Sequence, residues 1–162
     1  MSTRSEKVKI FTEQSLGVPL PTQPRKMTRD EVLFLVKMNC EELQELLATI
    51  TFEGEDTREL LATIVHRSNR PNVKPMTTDD EIISEQVDAF VDIDYYNCNA
   101  AAKAGFNVDD IFNVVHEANM SKKFEDGTFH RNEIGKVIKP PGWVEPELLP
   151  IIAKWNSNGT WA

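Results

Sequence analysis

Apolar residues recur along most of this chain at spacings of three and four, the repeat that gathers side chains on one face of an α-helix. The clearest case follows Thr28. Val32, Leu35, Val36, Leu43, Leu46, Leu47 and Ile50 form one stripe, and Thr28 with Glu31 makes a capping-box pair that opens the helix. Phe52-Glu-Gly-Glu closes it, and Asp56 starts a shorter helix through about Arg67. Thr78 and Glu81 repeat the capping pattern, with Asp79 and Asp80 suited to the positive end of the helix dipole. That helix runs about seven turns to Ala104 and stops at Gly105. Asn107 caps another, from Val108 to about Lys122, and a last short helix lies near Pro146 to Trp155. Ahead of these, a short helical start over roughly Glu6 to Gln14 runs into Gly17-Val-Pro-Leu-Pro-Thr-Gln-Pro. There Pro19, Pro21 and Pro24 impose an extended connector.

Nothing alternates with period two long enough for a sheet of several strands. Ser68 to Thr77, with Pro71 and Pro75, reads as a loop, and Asp126-Gly127 is a turn signal. Gly135-Lys-Val-Ile-Lys-Pro-Pro-Gly is not helix, and a small hairpin fits around Thr128 to Lys139. Long amphipathic helices on short loops predict an all-α fold, a helical bundle. We expect one domain over residues 1–162: an arm to about 27, a helical core from about 28 to 124, and a C-terminal segment from about 125 to 155.

The chain has 162 residues, with 18 Lys and Arg against 26 Asp and Glu, a formal charge of -8. So negative a surface argues against nucleic-acid polymers and anionic membranes, which require a basic footprint. Small anions such as nucleotides stay open, because a divalent cation inverts the local sign. No secretory signal and no membrane span stand out, so a reducing, cytoplasmic location is the default expectation. Cys40 and Cys98 are too few for a disulfide scaffold and too far apart for a zinc site. Buried small side chains are the simplest reading of both.

The acids are unevenly placed. Between Lys37 and Arg58 lie six acids and no Lys or Arg, and between Thr77 and Ala102 lie seven acids and again no Lys or Arg. Glu41-Glu42-x-x-Glu45 sits beside the first apolar stripe. Glu85-x-x-Asp88-x-x-x-Asp92 steps by three and then four, which keeps its carboxylates on one side of the second long helix. Like charges at this spacing repel by about 0.2–0.5 kcal/mol per pair. Partial burial costs more unless a cation neutralises them. Two such stripes make a hard-oxygen donor set suited to Mg²⁺ or Mn²⁺. The competing reading is two solvated faces of an acidic protein, since Glu is a good helix former.

Glu41-Glu42-x-x-Glu45 followed by Glu85-x-x-Asp88 resembles the paired motifs of the all-α nucleoside triphosphate pyrophosphohydrolases. That superfamily includes the MazG proteins, the dimeric dUTPases and phosphoribosyl-ATP pyrophosphohydrolase. His116-Glu-Ala-Asn119-Met-Ser121-Lys122, then Asp126-Gly127, then Gly135-Lys136-Val-Ile-Lys139-Pro140 is similar to the C-terminal signature of a MazG-like branch. The resemblance covers about Glu31 to Leu148. It implies a bundle assembled as a homodimer or dimer of dimers. It also implies Mg²⁺-dependent cleavage of a nucleoside triphosphate to monophosphate and pyrophosphate, in a house-cleaning role. Glu41, Glu42, Glu45, Glu85 and Asp88 are then the metal ligands, and helical geometry adds Asp92. Glu42 or Glu45 is the candidate general base. Tyr95-Tyr96-Asn-Cys-Asn99 departs from the small residues this branch often carries, so the base pocket is expected to differ. Two alternatives stand: a phosphoribosyl-ATP pyrophosphohydrolase-like activity, and a helical metal-binding or interaction module without catalysis. All five motif acids are present, which speaks against the last.

Lys122, Lys123, Arg131, Lys136 and Lys139 cluster in a chain otherwise short of bases and suit the phosphate-facing half of a site. Lys122 and Lys136 are the first candidates and Lys139 the next, with Asn119 offering its amide to a base edge or phosphate. Lys122 and Lys123 equally suit the negative end of a helix dipole with no ligand at all. His116 reads as a hydrogen-bonded structural residue, and His66 and His130 belong to no constellation. Trp143, Trp155 and Trp161 read as packing or tail residues.

Overall fold

The computed structural model describes residues 2–72 and 75–158. Trp161 lies outside them. Six α-helices are described: α1 (Arg4–Leu16), α2 (Arg29–Ala48), α3 (Thr57–Arg67), α4 (Asp79–Lys103), α5 (Val108–Met120) and α6 (Leu149–Asn158). The all-α expectation holds. Among the described residues the region expected to form a hairpin contains one antiparallel bridge, Arg131 to Val137, and no strand.

Local chemistry explains most helix ends. Thr28 and Glu31 satisfy each other's backbone N–H groups at the start of α2, as do Thr3 and Glu6 at the start of α1. Glu81 accepts the Thr77 and Thr78 N–H groups ahead of α4, at 2.7 and 3.0 Å. Asp56 and Asn107 cap α3 and α5 through their side-chain oxygens. Gly17, with φ of 70°, ends α1 in the left-handed conformation that a side chain would strain. Helix α1 begins earlier than the apolar pattern alone indicates, because the Thr3–Glu6 box precedes the first apolar position.

The chain divides into two compact units, Met1–Gln23 with Phe90–Ala162 and Pro24–Ala89. In the second, α2 packs on α3. The approach to α2 is tied to α4 within the same unit. Lys26 Nζ lies 2.7 Å from the Asp79 carboxylate, and the Met27 N–H donates to Gln86 Oε1 at 2.9 Å. In the first unit, α1 packs on α5. Arg4 pairs with Asp109, Lys7 Nζ donates to Asn113 Oδ1, and Phe11 meets Phe129 edge-on at 5.3 Å. Helix α6 stacks Trp155 on Phe106 and donates its indole N–H to Asp110 at 3.1 Å.

Among the described residues the apolar stripes do not close a fully buried core. Among the described residues no apolar side chain is fully buried. Leu46 of α2 is 65% exposed, and Val87 and Tyr95 of α4 are 52% and 71% exposed. Side chains this apolar remain in water only at a considerable free-energy cost, so the stripes mark a face to be covered. Cys40 and Cys98 are half-buried and unpaired rather than fully buried, for the same reason. Among the described residues no helix is long and apolar enough to cross a membrane.

Candidate functional site

The acidic motifs fall on regular helix. Glu41, Glu42 and Glu45 lie in the second half of α2, and Glu85 and Asp88 in the first half of α4, all within Pro24–Ala89. Asp92 follows one turn on, in the other unit. Glu41 is half-buried, while Glu42, Glu45, Glu85, Asp88 and Asp92 are exposed. Among the described residues no hydrogen bond, ion pair or salt bridge engages the side chains of those last five. Neighbouring cations are used elsewhere, with Lys26 on Asp79 and Arg25 on Glu31.

The candidate donors are therefore all carboxylate oxygen, and among the described residues no lysine or arginine pairs with Glu42, Glu45, Glu85, Asp88 or Asp92, which is the chemistry a hard divalent cation requires. No group of three or more His, Cys, Asp or Glu side chains among the described residues is placed to hold a metal ion. The residue types fit the ion; the single chain does not assemble them into a cage.

The basic segment separates into distinct roles. Lys122 and Lys139 share one aromatic ring: their Nζ atoms lie 5.2 and 4.6 Å from the centre of the Trp143 indole. Lys122 Nζ also donates to Asn119 Oδ1 at 2.7 Å, so three of the four expected phosphate-facing residues converge. Lys136 belongs to the hairpin-like turn, its N–H donating to Asn132 Oδ1 at 2.9 Å. Arg131 leaves the basic group altogether. Its guanidinium donates to the Ser15 hydroxyl and carbonyl and to the Gly135 carbonyl. Lys123 lies over Phe129 at 5.6 Å.

Trp143 is the organiser of this cluster. Pro140-Pro141-Gly142-Trp143 closes a turn through the Trp143 N–H and the Pro140 carbonyl at 3.1 Å. Gly142 has φ of 78°, as a type II turn requires at its third position. The indole N–H then donates to Ala118 O at 3.1 Å and Ser121 Oγ at 3.0 Å, fixing the ring on the last turn of α5. Glu145 reaches Lys139 at 2.7 Å. That hydrogen bond, with the field of Lys139 and more distantly Lys122, holds its carboxyl below the usual range. The sequence signal for Trp143 was present in Lys139-Pro-Pro-Gly-Trp, a two-proline turn that returns an aromatic ring toward a lysine.

His130 corrects its expected isolation. Its Nε2 lies 2.9 Å from Asp126 Oδ2 and its ring stacks on Phe124 at 3.8 Å. The His130 hydrogen bond, followed by the Thr128 N–H, holds the Asp126 carboxyl down at about 2. A cleft of about 510 Å³ opens beside the pair, with Lys123, Glu125 and Pro140 on its walls. His116 stacks on Phe112, one turn earlier on α5, at 6.2 Å, and among the described residues its ring makes no hydrogen bond, so the expected hydrogen bond is not seen.

A crystal structure of a "putative NTP pyrophosphohydrolase" from Exiguobacterium sp. 255-15 superposes with a TM-score of 0.77 at 25% sequence identity, covering 98% of this chain and 99% of that one. No curated protein matches. The sequence model for phosphoribosyl-ATP pyrophosphohydrolase matches residues 11–119, a span that contains both acidic motifs and Asn119. Matched over two thirds of its length, and carrying both motifs on the helices of an all-α fold, the chain belongs to the phosphoribosyl-ATP pyrophosphohydrolase family.

Proposed function

We propose that this pyrophosphohydrolase cleaves the α–β anhydride of a nucleoside triphosphate, giving the monophosphate and pyrophosphate, in a house-cleaning role, and that it depends on Mg²⁺ or Mn²⁺. The observation that carries the reading is the uncompensated carboxylate set. Glu42, Glu45, Glu85 and Asp88 meet no protein cation in either long helix. Glu41, Glu42, Glu45, Glu85 and Asp88 would hold the ions, with Asp92 extending the set by one turn. Bound there, a divalent cation offsets phosphate charge and acidifies water.

The chain's own residues account for the rest. A carboxylate oxygen of Glu42 or Glu45 takes the proton as water attacks the α-phosphorus and the bond to the β-phosphate breaks. The ammonium groups of Lys122, Lys136 and Lys139 receive the negative charge that gathers on the leaving pyrophosphate. Asn119 orients the substrate through its amide. A second copy of the chain covers the apolar stripes of α2 and α4. Its own stripes carry the same acids, so the copy also completes the ligand set that one chain leaves open.

A panel of nucleoside triphosphates and phosphoribosyl-ATP, incubated with Mg²⁺ and resolved by product chromatography, tests the reading. Monophosphate and pyrophosphate from triphosphates support it. Turnover of phosphoribosyl-ATP alone favours the biosynthetic activity. No turnover with any of them, in a chain that binds metal, points to a module without catalysis.

A further inference from the structure

We propose that Gln86 is a positioning residue for the carboxylates of α4: by accepting the Met27 backbone N–H it fixes the rotation of the helix that presents Glu85 and Asp88 to a divalent cation. The inference rests on the metal-dependent reading above. It adds a group that touches neither the ion nor the substrate.

Three consecutive residues ahead of α2 form a strap. Arg25 donates to Glu31, in the first turn of α2, at 2.8 Å. Lys26 Nζ reaches Asp79, the first residue of α4, at 2.7 Å. The Met27 N–H donates to Gln86 Oε1 at 2.9 Å. Asp79 and Gln86 stand about two turns apart and so lie on one side of α4. Ile82 and Ile83, both half-buried, belong to that same side. Each residue turns about 100° round a helix. A helix held at Gln86 therefore carries Glu85 and Asp88 within about 60° of each other, on the side away from the strap. Both are exposed there.

The two ties to α4 differ in what they can hold. The Lys26–Asp79 pair is open to water, with side chains 50% and 66% exposed, and such a pair constrains geometry weakly. The Met27–Gln86 bond joins two half-buried residues and is directional, and its donor is fixed in the backbone. Residues 87–97 of α4 are all exposed, so Gln86 is the last covered position ahead of Asp88. Metal ligands must sit within roughly 0.2 Å of their ideal distances, and a helix free to roll about its axis moves a carboxylate further than that.

Binding of Mn²⁺ to the full chain, followed by the electron paramagnetic resonance of the free ion, tests this without turnover. Gln86→Leu keeps the side-chain volume and removes the acceptor, whereas Gln86→Glu keeps an acceptor oxygen. Gln86→Leu should weaken Mn²⁺ binding about tenfold, the low end of the roughly 10–100-fold loss that follows removal of an orienting partner. Gln86→Glu should bind at the native affinity or tighter. Met27→Pro removes the same bond from the donor side and should match Gln86→Leu, which keeps the test available if one variant fails to fold. Native affinity in a folded Gln86→Leu, or an equal loss in Gln86→Glu, overturns the proposal and leaves the metal reading standing. A native chain that binds no Mn²⁺ overturns both.

Discussion

Arg131 donates from Nη2 to the Ser15 hydroxyl at 2.7 Å and from Nε to the Ser15 carbonyl at 3.1 Å, joining positions 116 apart in the chain. Ser15 is 6% exposed and is the buried polar residue among those described. The guanidinium thus ties the end of α1 to the hairpin-like turn, and it does so with donors that a phosphate would otherwise attract. Arg131→Ala is expected to lower stability by about 1.5–3 kcal/mol, the range for hydrogen bonds from charged groups. Urea unfolding of the native chain and the variant measures the loss.

The acids of α2 and α4 give the most direct test of the chemistry. Glu42→Gln and Asp88→Asn each keep the size of the side chain and remove its charge. We expect Mg²⁺-dependent turnover to fall by at least about 100-fold, the scale of losing one group that stabilises charge in the transition state. Circular dichroism should stay helical, since both side chains are exposed and make no intrachain bond. Full turnover by both variants would refute the assignment.

Chelation provides an independent check. Treatment with EDTA should abolish turnover, and Mg²⁺ or Mn²⁺ should restore it, because among the described residues no cation offsets the charge of Glu42, Glu45, Glu85 and Asp88. Activity that persists in excess chelator would contradict metal dependence while leaving family membership intact.

Acid sensitivity follows from the capping box of α2. Arg25 donates to Glu31 at 2.8 Å, and the Thr28 N–H donates to the same carboxylate at 2.7 Å. The Arg25 hydrogen bond first, and the Thr28 backbone second, bring the Glu31 carboxyl from 4.5 to about 2. A carboxyl depressed in the folded state stabilises it above the unfolded value and loses that contribution as pH falls through the folded one. The stability difference between the native chain and Glu31→Gln should be constant above pH 4.5 and shrink to nothing near pH 2. Helix signal followed against denaturant at several pH values tests this. A difference independent of pH would remove the charge from the explanation.

The exposed stripes predict association. Light scattering should report at least a dimer, and Leu46→Asp, placed on a side chain 65% exposed in the single chain, should shift it toward monomer. Turnover should fall along with mass if a second copy completes the ligand set. A strict monomer with full activity would exclude that role for the stripe.

The helices were legible from the sequence because their determinants are local. Apolar spacing, the Thr28–Glu31 and Thr78–Glu81 boxes and Gly105 each act within a few residues, and the observed helices follow them closely. Placement of Glu41, Glu42, Glu45, Glu85 and Asp88 on helix was legible for the same reason. Less was visible where the chain is irregular. Lys122, Lys123, Arg131, Lys136 and Lys139 look alike in sequence, yet only Lys122 and Lys139 share an indole. His130 looked isolated and is paired with Asp126.

By itself, then, the sequence determined the all-α class, the helix boundaries to within a few residues and the two base-free acidic runs. These depend on a periodicity that any helix imposes on its neighbours three and four positions away. The tertiary structure alone decided that Arg131 turns to Ser15, that Trp143 docks on the end of α5 with Lys122 and Lys139 near its ring, and that among the described residues the apolar stripes stay largely exposed. Such outcomes depend on where turns send distant segments. Pro140-Pro141-Gly142 and the 116-position return to Ser15 settle that direction through geometry that no local spacing encodes.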